Sequence, residues 1–405
     1  MKIRPNIKQA METLKIEKLR KNQLKPINAI LDGYDTIVIA PTSFGKSLIY
    51  LIPAIIHQDK LTVVIEPLLA LMHDQVQKLR SLGIAAAYLD STQSKSERSA
   101  VMEQLRARKL RILYIAPERL ETGILPQIED TSPIGMIVVD ECHCVVSWGD
   151  TFRKAYRFIG ESIGALKHRP VITALSATAF PEDRPRIAEL LNMHEVKCFE
   201  MSLYRSNLRL MRKVTPSRSL QIKALKKCMK KYHCSTTMIF CNTKRAVEYV
   251  GGYLEELYPG EVVAYHSQAK KQERQMLSGE KHIIVATSAL SMGVDVRNVD
   301  LVIHFNMPNM PMSLADYYQM AGRAGREGQP ARSILLYNSD DYYTNRGLLE
   351  DIEEKSAKKR AMRRLDAMKE FCEDDERCMV TALLNALGDP HKKNCRYCTN
   401  CQKGR

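Results

Sequence analysis

No stretch of about 18 consecutive apolar residues occurs in this chain of 405 residues, so nothing in it reads as a membrane-crossing helix. The opening MKIRPNIKQAMETLKIEKLR has no apolar core of the kind a secretory signal needs, and the expectation is a cytoplasmic, nucleoid-associated protein without a membrane partner. Fixed-period repeats and low-complexity tracts are also missing, which excludes solenoids and linker-like segments. There is a single tryptophan, Trp148. Acidic residues are in deficit: 61 Lys and Arg face 46 Asp and Glu, a formal charge of +15. Such a surface attracts polyanions, and charge alone does not separate nucleic acid from an anionic membrane. The eleven cysteines do not form a disulfide framework in a chain without a secretory start, so the four in the last 28 residues read as metal ligands.

At this length two or three domains are expected. Apolar β-branched runs at 36–40, 61–67, 110–117, 136–140 and 171–178 alternate with helix-like intervals, the pattern of strands buried on both faces of a parallel sheet. After a polar stretch around 202–219 the alternation resumes at 236–242, 262–267, 282–288, 301–308 and 333–338. Two successive α/β units joined near Tyr204 to Asn207 account for this, followed by a charged helical segment over about 347–373. Its run KKRAMRR reads equally as a solvated helix face or as a phosphate contact.

The segment from Ala40 to Ser47, APTSFGKS, lies between a strand and an apolar helix-like run. There, backbone amides of Thr42, Ser43, Phe44 and Gly45 can surround phosphate oxygens, with Lys46 reaching the β- and γ-phosphates and Ser47 holding Mg2+. Ala40 and Ser43-Phe44 stand where the full motif favours glycine. Asp140-Glu141 follows a buried strand, at the carboxyl end where ligands bind in such sheets. Asp140 suits magnesium and Glu141 suits the water that attacks the γ-phosphate, so ATP hydrolysis is expected. Arg323 and Arg326, spaced by three within GRAGR, suit stabilisation of charge on the γ-phosphate; a solvated helix end is the bland reading, and it leaves the glycines unexplained.

In order along nearly the whole chain, these segments resemble the motif series of a superfamily 2 helicase, and in detail the RecQ family of DNA helicases. Leu19-Arg20-Lys21-Asn22-Gln23 is similar to the family's opening motif, which implies Arg20 and Gln23 as adenine-site residues. Pro67 to Gln75 and Leu175 to Ala179 resemble the next motif and the one linking ATP to DNA sites, bringing in Ser176 and Thr178. The stretch from Ser147 to Tyr156, with Trp148, Phe152, Arg153 and Tyr156, resembles the family's aromatic loop that couples single-stranded DNA to hydrolysis. Aromatic faces beside an arginine suit base stacking, although aromatics so spaced are also common in cores. Tyr204 to Asn207, Tyr265 to Ser267, Ala286 to Asp295 and Gln319 to Gly328 look like the second-half motifs, implying Asp295 at the nucleotide and Arg326 as arginine finger. Ile16, Ser291 and Met320 depart from the family pattern.

Cys378, then Cys395, Cys398 and Cys401 at C-x2-C-x2-C, can enclose one tetrahedral Zn2+, three from a knuckle and one from the preceding helix; an iron–sulfur cluster is the rival. The spacing also resembles the RecQ zinc module.

The resemblance implies an α/β chain of two tandem RecA-like parallel-sheet domains, 1–203 and 204–345, and a helical zinc-binding domain over 346–405. It implies ATP, Mg2+ and Zn2+ as cofactors, DNA (single-stranded and tailed or branched duplex) as partner, 3′-to-5′ translocation, and a setting in DNA repair and recombination. The chain ends four residues after Cys401, before the winged-helix and C-terminal helical domains of many relatives, so weaker duplex separation or reliance on a partner is expected. The competing readings are an RNA helicase on the same scaffold and a DNA-stimulated ATPase clamp that recruits without unwinding.

Overall fold

A computed structural model of the chain describes residues 3–42, 44–147, 154–232, 234–266, 280–291, 296, 298–308 and 313–403. It divides into two compact units, Met1–Ser202 and Leu203–Arg405.

In the first unit, strands β1 (Thr36–Ile39), β2 (Leu61–Ile65), β3 (Ala86–Leu89), β4 (Ile112–Ile115), β5 (Ile134–Val139), β6 (Val171–Ser176) and β7 (Lys197–Glu200) form one sheet in the order 3-4-2-5-6-1-7. Every described pairing is parallel. The reason lies in the strands' sequences: Ile37, Val63, Ile65, Ile137 and Ile172 pack into one apolar layer, while the alternate residues Val38, Val64, Val138 and Leu175 pack into another. With both faces apolar, a strand needs helices above and below, and crossover helices supply them.

In the second unit, β8 (Leu208–Val214), β9 (Thr236–Cys241), β10 (Val262–Tyr265), β11 (Ile283–Thr287), β12 (Val299–His304) and β13 (Ala331–Tyr337) pair in the order 10-11-9-12-13-8. All of these pairings are parallel as well. Strand β8 falls inside the stretch that reads as a polar pause in the sequence. Only Leu208, Leu210 and Arg212 of it are buried, so an edge strand with one wet face does not show the continuous apolar run of its neighbours.

The cysteine-bearing segment is part of the second unit. Its helix Lys355–Glu373 packs through Phe371 on Tyr317 of the helix Ser313–Ala321, with ring centroids 5.3 Å apart, and Tyr317 meets His304 of β12 at 4.6 Å. His304 is fully buried, its Nε2 3.0 Å from Ser333 Oγ, and burial lowers its pKa to about 3. The ring is therefore neutral at physiological pH.

Candidate nucleotide site, arginine loop and metal centre

The carboxyl ends of β2, β5, β6 and β1 lie side by side, and each carries one predicted motif. Backbone bonds from Asp140 N–H to Ile65 O (3.0 Å), Cys142 N–H to Leu175 O (2.8 Å) and Ala40 N–H to Ser176 O (3.0 Å) lock the strand ends together. That is where an open parallel sheet binds ligands.

Gly45 takes φ +84° and caps the helix Lys46–Ile56, whose first turn points its amides toward the loop. A Cβ on Gly45 would sit 2.8 Å from Gln23 Nε2, so both conformation and space demand glycine. Gln23 is buried and clamps this loop: its Nε2 donates to Phe44 O at 2.9 Å and Gly45 O at 3.2 Å, while its Oε1 accepts from Arg20 N–H at 2.7 Å. The residue expected at the adenine thus also braces the phosphate loop. Lys46 Nζ lies 3.5 Å from Ala40 O, across the loop it closes. Thr42, Phe44 and Ser47 are partly exposed and Arg20 is exposed.

Glu141 adopts φ +47°, a left-handed conformation costing roughly 1–2 kcal/mol for a residue with a Cβ. Its neighbours hold it there: the Glu141 N–H donates to Asp140 Oδ1 at 2.8 Å, and the flanking amides make the strand-end bonds above. Burial and then the Glu141 charge push the Asp140 carboxyl up to about 6, against the pull of Lys46. A third carboxyl, Glu66 at the end of β2, is buried and accepts from Leu68 N–H at 3.1 Å. Burial, Asp140 and Glu141 push it well above the usual range. Three carboxyls beside one lysine make a site short of positive charge, a setting in which a divalent cation is favoured.

His143 joins this pair to the next motif. Its Nδ1 lies 3.2 Å from Glu141 Oε2 and 2.9 Å from Ser176 Oγ, and Ser176 Oγ accepts from Thr178 N–H at 3.0 Å. Burial opposes a charge on His143, but Cys144 and Glu141 together hold its pKa well above the ordinary value. Ser176 and Thr178 are buried, so they reach the site through this chain of bonds. Sequence reading did not single out His143 or Glu66; their only signal was adjacency to the two motifs.

Tyr156, in the short 3-10 turn Lys154–Arg157, is buried in the core layer with Ile159 and Cys144. Ser43, Trp148, Phe152, Arg153 and Asp295 lie outside the described residues.

In the second unit the arginine loop is built by a motif whose role the sequence left blank. Arg205 donates to Gly322 O and Ala324 O, both at 2.9 Å, and to Gly325 O. Asn207 Nδ2 donates to Gly325 O and Gln329 O, both at 2.8 Å. Gly325, at φ +64°, turns the chain between Arg323 and Arg326. The turn makes the two arginines unlike: Arg323 is buried, and Arg326 is partly exposed.

The four cysteines converge, all Sγ atoms lying within 4.8 Å of one another. Cys378 and Cys398 Sγ are 3.9 Å apart, close to the ~3.8 Å edge of a tetrahedron with 2.3 Å metal–sulfur bonds. Amides of Cys395, Cys398 and Cys401 donate to Cys378, Cys395 and Cys398 sulfurs at 3.3, 3.2 and 3.5 Å. The cage suits a single ion, whereas a cluster with one iron per thiolate needs a wider one. Cys378 caps Met379–Ala386, the helix that precedes the knuckle, and the longer helix before it ends at Glu373 under Arg212. Buried Arg212 of β8 donates to Phe371 O (2.8 Å) and Asp374 O (2.6 Å), satisfying helix-end carbonyls, and to Asn400 Oδ1 at 3.2 Å.

Two sheets of this topology, with a phosphate loop on one and an arginine loop on the other, define a helicase-type motor fold. The DEAD/DEAH box helicase family matches residues 20–185, the helicase conserved C-terminal domain 220–328 and the RecQ zinc-binding family 339–402. ATP-dependent DNA helicase RecQ of Pasteurella multocida is 35% identical over 393 residues, covering 95% of this chain and 60% of that protein. RecQ of Bacillus subtilis is 32% identical, covering 95% and 65%, and RecQ of Synechocystis is 34% identical over 343 residues, covering 81% and 70%. The chain belongs to the RecQ helicase family. It spans about three fifths of the length of the first of these relatives. Among solved structures, the helicase MrfA bound to DNA superposes with TM-score 0.69 at 22% identity, over 85% of this chain and 53% of that one. S. cerevisiae Dbp5 bound to RNA and ADP BeF3 gives 0.67 at 14%, over 92% of each. These two share the fold.

Proposed function

We propose that this chain is an ATP-dependent DNA helicase that translocates 3′ to 5′ on single-stranded DNA and opens tailed or branched duplex. The observation that carries the reading is the linked row of strand ends, where Lys46, Asp140 and Glu141 meet and His143 joins them to Ser176. In this reading the amides of Thr42 to Ser47 hold the phosphates of ATP, with Asp295 also at the nucleotide. Ser47 and Asp140 hold Mg2+, whose charge offsets the carboxyl excess; Glu141 orients water; Arg326, with Arg323 beside it, meets charge developing on the γ-phosphate. The partial exposure of Arg326 beside buried Arg323 supports that division of roles. Arg20 and Gln23 serve the adenine, Trp148, Phe152 and Arg153 sense DNA, and Tyr156 anchors their loop from the core. Cys378, Cys395, Cys398 and Cys401 hold Zn2+ as a structural ion, since all four ligands come from protein. The working domains are 1–203, 204–345 and 346–405, in a cytoplasmic, nucleoid-associated protein serving DNA repair and recombination.

The test is strand displacement on duplexes with 3′ or 5′ tails, beside ATPase assays with single-stranded DNA or RNA. Displacement of the 3′-tailed substrate, lost in Lys46→Ala, is the expected result. DNA-stimulated ATPase with no displacement on either tail supports the clamp reading instead, and stronger stimulation by RNA refutes the DNA assignment. Trp148→Ala is expected to abolish stimulation while ATP binding persists.

A further inference from the structure

Residues 201–247 contain twelve Lys and Arg and no Asp or Glu. The centre of this segment is the helix Arg218–Lys231. One face carries Gln221, Ile222, Ala224, Leu225, Cys228 and Met229 into the core. The opposite face carries Lys223, Lys226, Lys227, Lys230 and Lys231, of which all but half-buried Lys226 are exposed. Within the helix only Arg218 has an acidic partner, Asp341; none of the five lysines makes an ion pair among the described residues. Exposed Lys213 of β8 lies near the same helix end, since it and Lys231 both act on the Cys228 thiol.

A solvated helix face normally alternates charge, because opposite charges at i and i+4 stabilise it and like charges destabilise it by a few tenths of a kcal/mol each. Lys223–Lys227, Lys226–Lys230 and Lys227–Lys231 are all like pairs at i, i+4. The helix macrodipole explains a preference for Lys230 and Lys231 in the last turn but not for the other three. Five ammonium groups over eight rises of 1.5 Å have a mean spacing of ~3 Å, within about twofold of the one charge per ~1.7 Å of duplex DNA. Single strands are held by exposed aromatic faces as well as charge. Here Tyr232 has Lys231 Nζ 5.5 Å and the Arg332 guanidinium 5.0 Å from its ring centre, so cations already occupy the ring on which a base would stack.

We infer that the lysine face of Arg218–Lys231, with Lys213, is a docking surface for the phosphate backbone of duplex DNA. Its residues belong to the second unit, whereas the phosphate loop and the acidic pair belong to the first. It presupposes the DNA partner proposed above, and the test therefore reads that partner independently.

The experiment uses the full chain with Lys223, Lys227, Lys230 and Lys231 changed together to Gln, and a second variant with the same four changed to Arg. Binding of a blunt fluorescent 20-base-pair duplex is followed from 50 to 200 mM salt by anisotropy. If each lysine neutralises one phosphate, the salt slope falls by about 3.6, so wild type loses about 150-fold more affinity than the Gln variant across that range. The Arg variant keeps the wild-type slope, and single-strand stimulation of ATPase is unchanged in all three proteins. An unaltered slope in the Gln variant overturns the proposal, as does an equal loss of affinity for a single-stranded 20-mer. Failure of wild type to respond to single-stranded DNA counts against the helicase reading, whereas loss of the salt difference alone counts against this surface.

Discussion

Replacing Gly325 by alanine tests whether the arginine loop is a rigid part of the motor. The residue sits at φ +64°, where a Cβ costs roughly 1–2 kcal/mol. That Cβ would also lie 2.5 Å from Asn207 Nδ2 and 2.8 Å from both Ala331 Cβ and Gln329 O. Ordinary contact begins near 3.4 Å, so neighbours on three sides must give way by roughly 0.6–0.9 Å, an overpacking cost of about 1–3 kcal/mol. Asn207 cannot retreat without releasing Gly325 O and Gln329 O, each bond worth about 1 kcal/mol. The total, about 4–7 kcal/mol, is borne by the turn that separates Arg323 from Arg326, and a local rearrangement of that size corresponds to a rate loss of at least about 100-fold. DNA-stimulated ATPase is the assay, with fluorescent-nucleotide binding and thermal unfolding measured in parallel. The expected outcome is a kcat lower by at least about 100-fold with nucleotide affinity within about threefold of wild type, because the phosphate loop belongs to the other unit. Asn207→Ala, which removes two bonds without a clash, falls between the two, at about 2 kcal/mol. A Gly325→Ala protein with wild-type kcat and unchanged unfolding temperature refutes the reasoning.

Lys46→Ala removes the only lysine of the phosphate loop, and ATP turnover in a coupled assay drops by at least about 100-fold while the folded state, read by circular dichroism, persists. His304 is depressed to about 3 by burial but titrates near 6.5 when unfolded, so the unfolded chain binds the extra proton between those values. The stability it safeguards is complete above pH 6.5 and falls as pH drops; at pH 5 the loss is about 2 kcal/mol, seen in urea titrations as a pH 7-to-5 difference that His304→Gln lacks. Arg212→Met leaves Phe371 O, Asp374 O and Asn400 Oδ1 without their charged donor. Metal released to a chromogenic chelator is then expected at lower urea than in wild type, by a midpoint shift equivalent to about 3 kcal/mol, although no cysteine is touched. An unshifted midpoint argues that the metal knot is independent of β8.

Much of the site was legible because motor chemistry is local in sequence. A phosphate loop needs Gly45, Lys46 and Ser47 in a row at a strand end, and that requirement is visible in eight residues. The cysteines were legible for the same reason, since three of the four thiols lie within seven positions. What escaped was set by partners far along the chain. Gln23 was read for an adenine role only, yet its amide braces a loop 21 residues away; Arg205 had no assigned role until Gly322, Ala324 and Gly325 were seen to accept its bonds. Tyr156 is grouped with Phe152 and Arg153 by resemblance to the family's aromatic loop, and the turn Lys154–Arg157 places it in the core.

By itself, the sequence determined most of the strands and the candidate chemical groups. Continuous Val and Ile runs cannot be wetted on either face, and Lys46, Asp140, Glu141 and the four cysteines stand out by their spacing as candidate groups. Only the tertiary structure decided how those groups act on one another. Parallel pairing in the order β2-β5-β6-β1 sets four strand ends together, which puts His143 between Glu141 and Ser176 and pushes Asp140 up to about 6. Proximity and loss of water, which no linear spacing encodes, turn those carboxyls into a site that favours a cation.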